Sequence, residues 1–422
     1  EGYLISRPRS GYYLHPDYRE ASPAAVESAP QREAAAPRWG DRLQMTPSQQ
    51  ESILKPAGWM HYRYPFIYGQ PDTRQFPLAT WRSAANWLHG GVRDPAWVID
   101  HIDQDVPMLI EQIRTRVLPK RGIVAAPDEI LITLGSQNAL YLLTRLLLSS
   151  TTRIGVENPC FREAINTFLL ADAEVVPHPV DEEGIVLNER PCDYYYVTPG
   201  HQVPTGVTMS SARRRQLLEH AARHDAVIIE DDYDSESNFT LNPLPALKAS
   251  DRSGRVVYVS SLSKALSPGL RLGFMVADPD LIDEARALRR LVYRHPPTNI
   301  QYQMAHFLAQ GHYETHLRRY HYDSAQRWER LHAALQRYLP SCRALAGSEH
   351  ANAFWLQTPA QINTQQLTWR AAHAGVLIEP GARHFLSAAP PDNYFRMGFH
   401  AINPDAIAQG VEVLRGQLEQ MG

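Results

Sequence analysis

Residues 226–236, AVIIEDDYDSE, and residues 256–277, VVYVSSLSKALSPGLRLGFMVA, decide how this chain is read. Each opens on a short run of apolar, mostly β-branched residues and then breaks into polar chemistry. Such a run, bounded by turn signals, suits a strand buried on both faces. The first run ends in Asp231, Asp232 and Tyr233. The second ends in Ser261, Ser263 and Lys264, with Pro268, Gly269 and Arg271 beyond. In an open α/β sheet, ligands gather outside the carboxyl ends of the strands. These two ends therefore hold the candidate site.

The same alternation extends outward in both directions. Strands are predicted at 129–134, 153–156, 174–176, 194–198, 226–230, 256–260 and 272–277, with helices over 136–149, 162–171 and 211–224. That order predicts an α/β fold with a mostly parallel sheet covered on both faces. A charged helix over 313–338 leads to strands at 353–357, 375–378 and 394–399, which predicts a smaller α+β C-terminal domain. Ahead of the sheet, residues 1–14 (EGYLISRPRSGYYL) read as strand, basic turn and strand. A hairpin of that size is unstable alone. Residues 15–50 have the Ala, Pro, Glu and Ser content of a linker.

Composition narrows the function classes. Across 422 residues, 42 basic side chains meet 45 acidic ones, a balance that argues against a surface dominated by nucleic acid. Cys160, Cys192 and Cys342 have no paired spacing, so a disulfide framework and a cysteine zinc site are both disfavoured, and a reducing cytoplasm is the expected home. No apolar stretch approaches the roughly 18 residues of a membrane span, and no signal peptide is expected. The Asp231–Glu236 cluster fails as a calcium loop: counting from Asp232 puts Ser237 at the turn glycine and Pro243 at the bidentate glutamate. His312 and His316 have the i, i+4 spacing of a zinc protease, but Tyr313 stands where the glutamate is required.

What the strand ends do offer is a coherent set. Gly135, Ser136 and Gln137 open a helix, whose free N–H groups and dipole suit a phosphate. Ser261, Ser263 and Arg271 add further phosphate donors. Lys264 can form a Schiff base with an aldehyde, Asp231 can keep a pyridine nitrogen protonated, and Tyr233 can hold a ring oxygen. Pyridoxal 5'-phosphate chemistry requires these groups together, whereas a lone Lys264 would ordinarily be a solvated lysine.

Four motifs then carry a resemblance: TPGHQVPTG at 198–206, EDDYDSE at 230–236, SSLSKALSPGLRLGF at 260–274 and FRMGF at 395–399. From about Tyr68 onward the chain resembles the aminotransferase-like, PLP-binding domain of MocR/GabR-type transcriptional regulators, which belong to the GntR superfamily and use PLP fold type I. The resemblance implies Lys264 as the Schiff-base lysine, Asp231 and Tyr233 as cofactor partners, and Ser136, Gln137, Ser261, Ser263 and Arg271 as phosphate ligands. Phe161 would stack on the cofactor ring, and Arg396 would grip a carboxylate. His201 and Gln202 fall where the wider fold has an asparagine near the phenolic oxygen. The implied divisions are a winged-helix remnant at 1–14, a linker at 15–50, a PLP-binding large domain at 51–310 and a small domain at 311–422. The recognition helices would lie upstream of Glu1.

The implied function is effector sensing by a homodimer, in which an amino compound forms an external aldimine in place of Lys264. DNA would be met only through the upstream winged helix. A catalytically active class I/II aminotransferase is the alternative. Three departures from the family pattern stand out. Pro159-Cys160-Phe161 replaces Pro-Gly-Tyr, keeping an aromatic but losing a hydroxyl. Glu163 stands where a GABA-responsive member has arginine, which argues against a GABA-type ligand. Residues 98–105 (VIDHIDQD) replace a Tyr-Gly-Asp-Pro-x-Gly segment that helps build the neighbouring subunit's site.

Overall fold

Leu4–Arg7 (β1) and Gly11–Leu14 (β2) pair antiparallel, with Leu4 opposite Leu14. This computed structural model describes residues 4–8, 11–14, 38–53, 55–90, 96–188, 190–237, 243–345 and 352–421. The hairpin belongs to the first of two compact units, Glu1–Gln49; the second is Gln50–Gly422. Most of the predicted linker, residues 15–37, lies outside the described residues.

The second unit opens with Tyr64–Pro65 (β3), Leu78–Gly90 (α1) and Pro107–Gln112 (α2). The central strands are β4 (Ile130–Thr133), β5 (Arg153–Asn158), β6 (Glu174–Asp181), β7 (Gly184–Ile185), β8 (Tyr194–Val197), β9 (Val227–Asp232), β10 (Val256–Ser261) and β11 (Gly273–Val276). They form one sheet in the order β4-β11-β10-β9-β8-β5-β6-β7. Pairing is parallel from β10 through β6, while β11 runs antiparallel to both its neighbours. The helices α3 (Ser136–Leu147), α4 (Arg162–Leu169), α5 (Ser211–Arg223) and α6 (Pro279–Tyr293) connect and cover these strands. Ile132, Ile228, Ile229 and Val259 are fully buried, as strands covered on both faces demand.

Beyond α7 (Thr298–Ala309), helix α8 (His312–Tyr338) leads into the smaller lobe. Its strands are β12 (Arg343–Ala344), β13 (Ala353–Gln357), β14 (Val376–Leu377), β15 (Glu379–Pro380) and β16 (Tyr394–Gly398), with helices α9 (Thr364–His373) and α10 (Ile407–Glu419). Packing crosses between the lobes in both directions. Tyr64 and Phe66 belong to the core of the smaller lobe, while Tyr313, Leu317 and Tyr320 of α8 belong to a core of the larger one. Strand β14 pairs with β3 rather than with the β12-β13-β16-β15 sheet. Ahead of β3, Asn166 Nδ2 donates to the Glu51 carbonyl at 2.7 Å and Arg383 Nη1 to the Ser52 carbonyl at 2.8 Å. Residues 50–66 thus run as a strap with anchors on both lobes.

Candidate cofactor and ligand site

Strands β9 and β10 pair with Val259 opposite Asp231 and Ser260 opposite Asp232, so their polar ends lie side by side. Successive strand side chains point to opposite faces, and this separates the two aspartates. Asp232 accepts from Arg121 Nε at 2.7 Å and from the Tyr258 hydroxyl at 2.8 Å. Asp231 accepts from the Tyr196 hydroxyl on Oδ2 at 2.9 Å, while its buried Oδ1 has no partner. Burial pushes the Asp231 carboxyl up to about 7; the Tyr196 hydrogen bond opposes this.

Of the residues predicted for the site, Gly135, Ser136, Gln137, Phe161, Asp231, Tyr233, Ser261, Ser263, Lys264 and Arg271 line one cavity of about 190 Å³. Its anion-binding end forms where β4 turns into α3. Gly135 caps the helix at φ +83° and supplies no side-chain cap, so the first N–H groups remain open toward the cavity. Arg271 closes over this turn, donating from Nη2 to the Leu134 carbonyl at 2.9 Å. The turn also presses on β11: a Cβ on Gly273 would lie 2.7 Å from both Gly135 Cα and the Ser260 carbonyl oxygen. No side chain fits there. The two serines differ. Ser263 donates to the Leu272 carbonyl at 2.9 Å and accepts from the Leu272 N–H at 2.7 Å, so its hydroxyl fixes the turn. Ser261 Oγ accepts from the Ser263 N–H at 3.2 Å and keeps its own proton to donate.

Lys264 Nζ lies 4.2 Å from the ring centre of Tyr68 and 4.8 Å from that of Tyr233. Burial lowers the lysine's pKa to about 8. Asp234 works against that shift, and Arg396 and Lys55 add to it. The Ala265 carbonyl next in the chain is held by His316 Nε2 at 2.8 Å. Tyr233 donates to the His201 carbonyl at 3.3 Å, and Tyr68 to Asp234 Oδ2 at 3.4 Å. Burial alone would raise the Asp234 pKa, but His201, Lys264 and Asn352 outweigh it and hold the carboxylate at about 2.

Arg396 sits beside the cavity rather than in its wall. It lies across from Glu379 on β15, with its guanidinium carbon 3.5 Å from the centre of the Tyr68 ring. Nη1 is 3.8 Å from Glu379 Oε1, and the buried Nε has no partner. Gln202 is not in the wall either. Its amide nitrogen donates to the Pro159 and Val203 carbonyls, each at 2.7 Å, which ties the 198–207 turn to the segment that follows β5. Glu163 Oε1 accepts the Ile53 N–H at 3.0 Å. The 98–105 segment is pinned within its own chain: Asp105 pairs with Arg286 and the fully buried Arg289, and Asp100 with Arg294 and His295.

Pro268, already noted at the second strand end, is in the wall; sequence reasoning missed Tyr68, Gly69 and Val203 there, and Tyr196 behind it. Tyr196 could have been found, because it stands on a strand adjacent to β9 and its side-chain alternation matches. Tyr68 and Gly69 lie in a stretch without periodicity, and only tertiary packing brings them in.

The comparisons with known proteins agree with this geometry. The family described as Aminotransferase class I and II matches residues 103–413. The HTH-type transcriptional regulator TauR of Rhodobacter capsulatus is 37% identical over 416 residues, covering 97% of this chain and 84% of that protein. The chain belongs to the MocR-type regulators. Within that family it is also 32% identical to the probable rhizopine catabolism regulatory protein MocR of Rhizobium meliloti, over 98% of this chain and 83% of that one. Among solved structures, the alpha-aminoadipate aminotransferase LysN of Thermus thermophilus, complexed with N-(5'-phosphopyridoxyl)-L-leucine, superimposes with a TM-score of 0.78. It is 25% identical and covers 92% of this chain and 98% of that one. The large domain of this MocR-type chain thus has the fold type I aminotransferase architecture, with the smaller α+β lobe following it.

Proposed function

We propose that this chain is the effector-sensing part of a MocR-type bacterial regulator and holds pyridoxal 5'-phosphate in the Lys264 cavity. The observation that carries the cofactor assignment is the buried Asp231 Oδ1, which has no partner and shares a cavity with an open helix N-terminus and a lysine. A protonated ring nitrogen satisfies that oxygen. The Ser136 and Gln137 N–H groups, Ser261 and Arg271 would take the phosphate, and Phe161 would cover the ring. When bound, the cofactor supplies an aldehyde for which Lys264 and an incoming amine compete. Tyr233 and Tyr68 flank the lysine and confine its amine, and Arg396 attracts a carboxylate beside them. The phosphopyridoxyl ligand of the LysN neighbour supports the same assignment.

The regulator reading rests on TauR and MocR, which match nearly the whole of this chain. It takes the β1-β2 hairpin as a wing remnant, 15–50 as the linker, 51–310 as the cofactor lobe and 311–422 as the smaller lobe, with Tyr64 and Phe66 packing into the smaller lobe and the start of α8 into the larger. DNA is met through a winged helix upstream of Glu1, two copies pair as a homodimer, and the protein works in the cytoplasm. Exposed Val98, Ile99, Leu291 and Val292 supply apolar surface for the pairing.

A second reading, a working aminotransferase, is favoured by Lys264 itself. With its pKa near 8, the lysine released from the cofactor can act as a general base. A gel shift and a turnover assay separate the two. The chain extended by an upstream winged helix is expected to bind its operator with a steep salt dependence, with little sustained transamination by the 422-residue chain. Many turnovers per minute together with no shift would make the protein an aminotransferase.

A further inference from the structure

We propose that Lys55 is a second anion-reading residue, so that the site selects amino compounds bearing two acidic groups, one for Arg396 and one for Lys55. The amine end of this ligand rests on the effector reading above.

Placement comes first. A Cβ built on Gly69 would lie 3.5 Å from Lys264 Nζ and 3.9 Å from Lys55 Nζ. Gly69 is in the cavity wall at φ +74°. The two ammonium groups therefore flank one bare stretch of backbone at the mouth, where only glycine leaves the gap open and relaxed. Lys55 is an exposed residue outside the cavity wall, and its Nζ approaches the wall at Gly69.

The donors there are unspent. Lys55 makes no hydrogen bond and no ion pair among the described residues. The charged groups facing it are Glu379, Arg396 and Glu163. Glu379 Oε1 already accepts from His384 Nε2 at 2.8 Å and stands 3.8 Å from Arg396. Glu163 Oε1 is taken by the Ile53 N–H, while its Oε2 is buried and unpartnered. A swing of Lys55 onto Glu163 is thus the competing arrangement. Arg396, buried and with an unpartnered Nε, is the second cation with a donor to give. Two cations with free donors beside one reactive lysine fit a ligand with an amine and two acids. An ammonium is a compact point charge with no planar fork to match. It would accept a carboxylate or a sulfonate equally.

The test uses the PLP-loaded protein. Aspartate, glutamate and alanine are titrated by the absorbance of the bound cofactor, and glutarate and butyrate by calorimetry, in the parent, Lys55→Met, Lys55→Arg and Glu163→Gln. The parent is expected to prefer the diacids about ten-fold, in keeping with one charge-assisted contact. Lys55→Met should erase that preference, Lys55→Arg should keep it, and Glu163→Gln should enlarge it by freeing the lysine. Lys55 is ruled out if diacids, with or without an amine, fail to bind or bind Lys55→Met as tightly as the parent. It is ruled out equally if alanine loses as much as glutamate, which marks a structural defect. If glutarate binds in a Lys55-dependent way but no amine changes the spectrum, the anion site stands and the effector reading falls.

Discussion

Behind Asp231 most polar groups are spent on one another, Glu157 Oε1 excepted. Tyr196 holds Oδ2, Thr198 holds Glu157 through both its N–H and its hydroxyl, and Arg121 and Tyr258 hold Asp232. At the mouth, Arg396 keeps an unpartnered Nε, and Lys55 has no ion pair among the described residues. Of the two buried carboxylate oxygens left vacant there, Asp231 Oδ1 and Glu157 Oε1, only that of Asp231 belongs to a residue of the cavity wall, and through it the rear forms a socket for one partner. The mouth is a set of charges whose partners arrive with the ligand. Preorganised groups cost no reorganisation when they are used, and uncommitted ones can take more than one partner. On the function proposed above, the cofactor end is the constant part, and residues along 50–70 and 379–396 are where a change of ligand would be written.

The sharpest way to break this contrast is at the socket's covalent anchor. Lys264→Ala is expected to abolish borohydride-reducible attachment of PLP altogether, and labelling at any other lysine overturns the assignment. In the parent, attachment should speed up as pH rises toward about 8 and then level off. Burial lowers the lysine's pKa, so its reactive neutral form is lost below that value instead of below the usual 10.5. A midpoint near 10 would mean the amine is not enclosed.

At the mouth, Arg396→Ala should weaken the response to amino acids by roughly thirty-fold or more while PLP stays bound, because half of a buried ion pair is left unmade. If amines without a carboxylate respond as well as amino acids in the parent, the clamp is idle. The smallest effect should come from behind the socket. Tyr196→Phe removes one of the hydrogen bonds that restrain Asp231, worth about 1 kcal/mol, so PLP affinity should change by only about five-fold. A loss as large as that from Lys264→Ala would show that the rear wall is less fixed than its pairing implies.

The strand ends were legible because burial forces a plain pattern: apolar runs such as Val227–Ile229 must end where polar groups begin. The antiparallel course of β11 was not, since a buried strand reads the same in either direction. Gln202 misled for a different reason. A residue type and its position in a motif do not say which acceptors its amide will meet, and the backbone carbonyls of Pro159 and Val203 lie within reach first. Lys55, Tyr68 and Gly69 were invisible because nothing local distinguishes them; their meaning comes from neighbours distant in sequence, Arg396 over the Tyr68 ring, Lys264 beside Gly69 and the charges of Glu379 and Arg396 facing Lys55. The pairing of β14 with β3 escaped for the same cause, being set by where the strap returns.

That strap is, in mechanical terms, a crossbar. Its first residues are fastened to α4 through Asn166 and Glu163, and its far end lies in the smaller lobe, where Tyr64 donates to the Gly375 carbonyl and Phe66 to that of Leu377, each at 2.9 Å. Its first residues also meet the smaller lobe through Arg383 and the Ser52 carbonyl, so the strap touches both lobes at its start before it reaches Tyr64 and leads on to Tyr68 and Gly69. The same crossbar begins at Gln50, where the second unit takes over from the first. The stretch that ties α4 to the smaller lobe is therefore also the stretch on which the second unit begins.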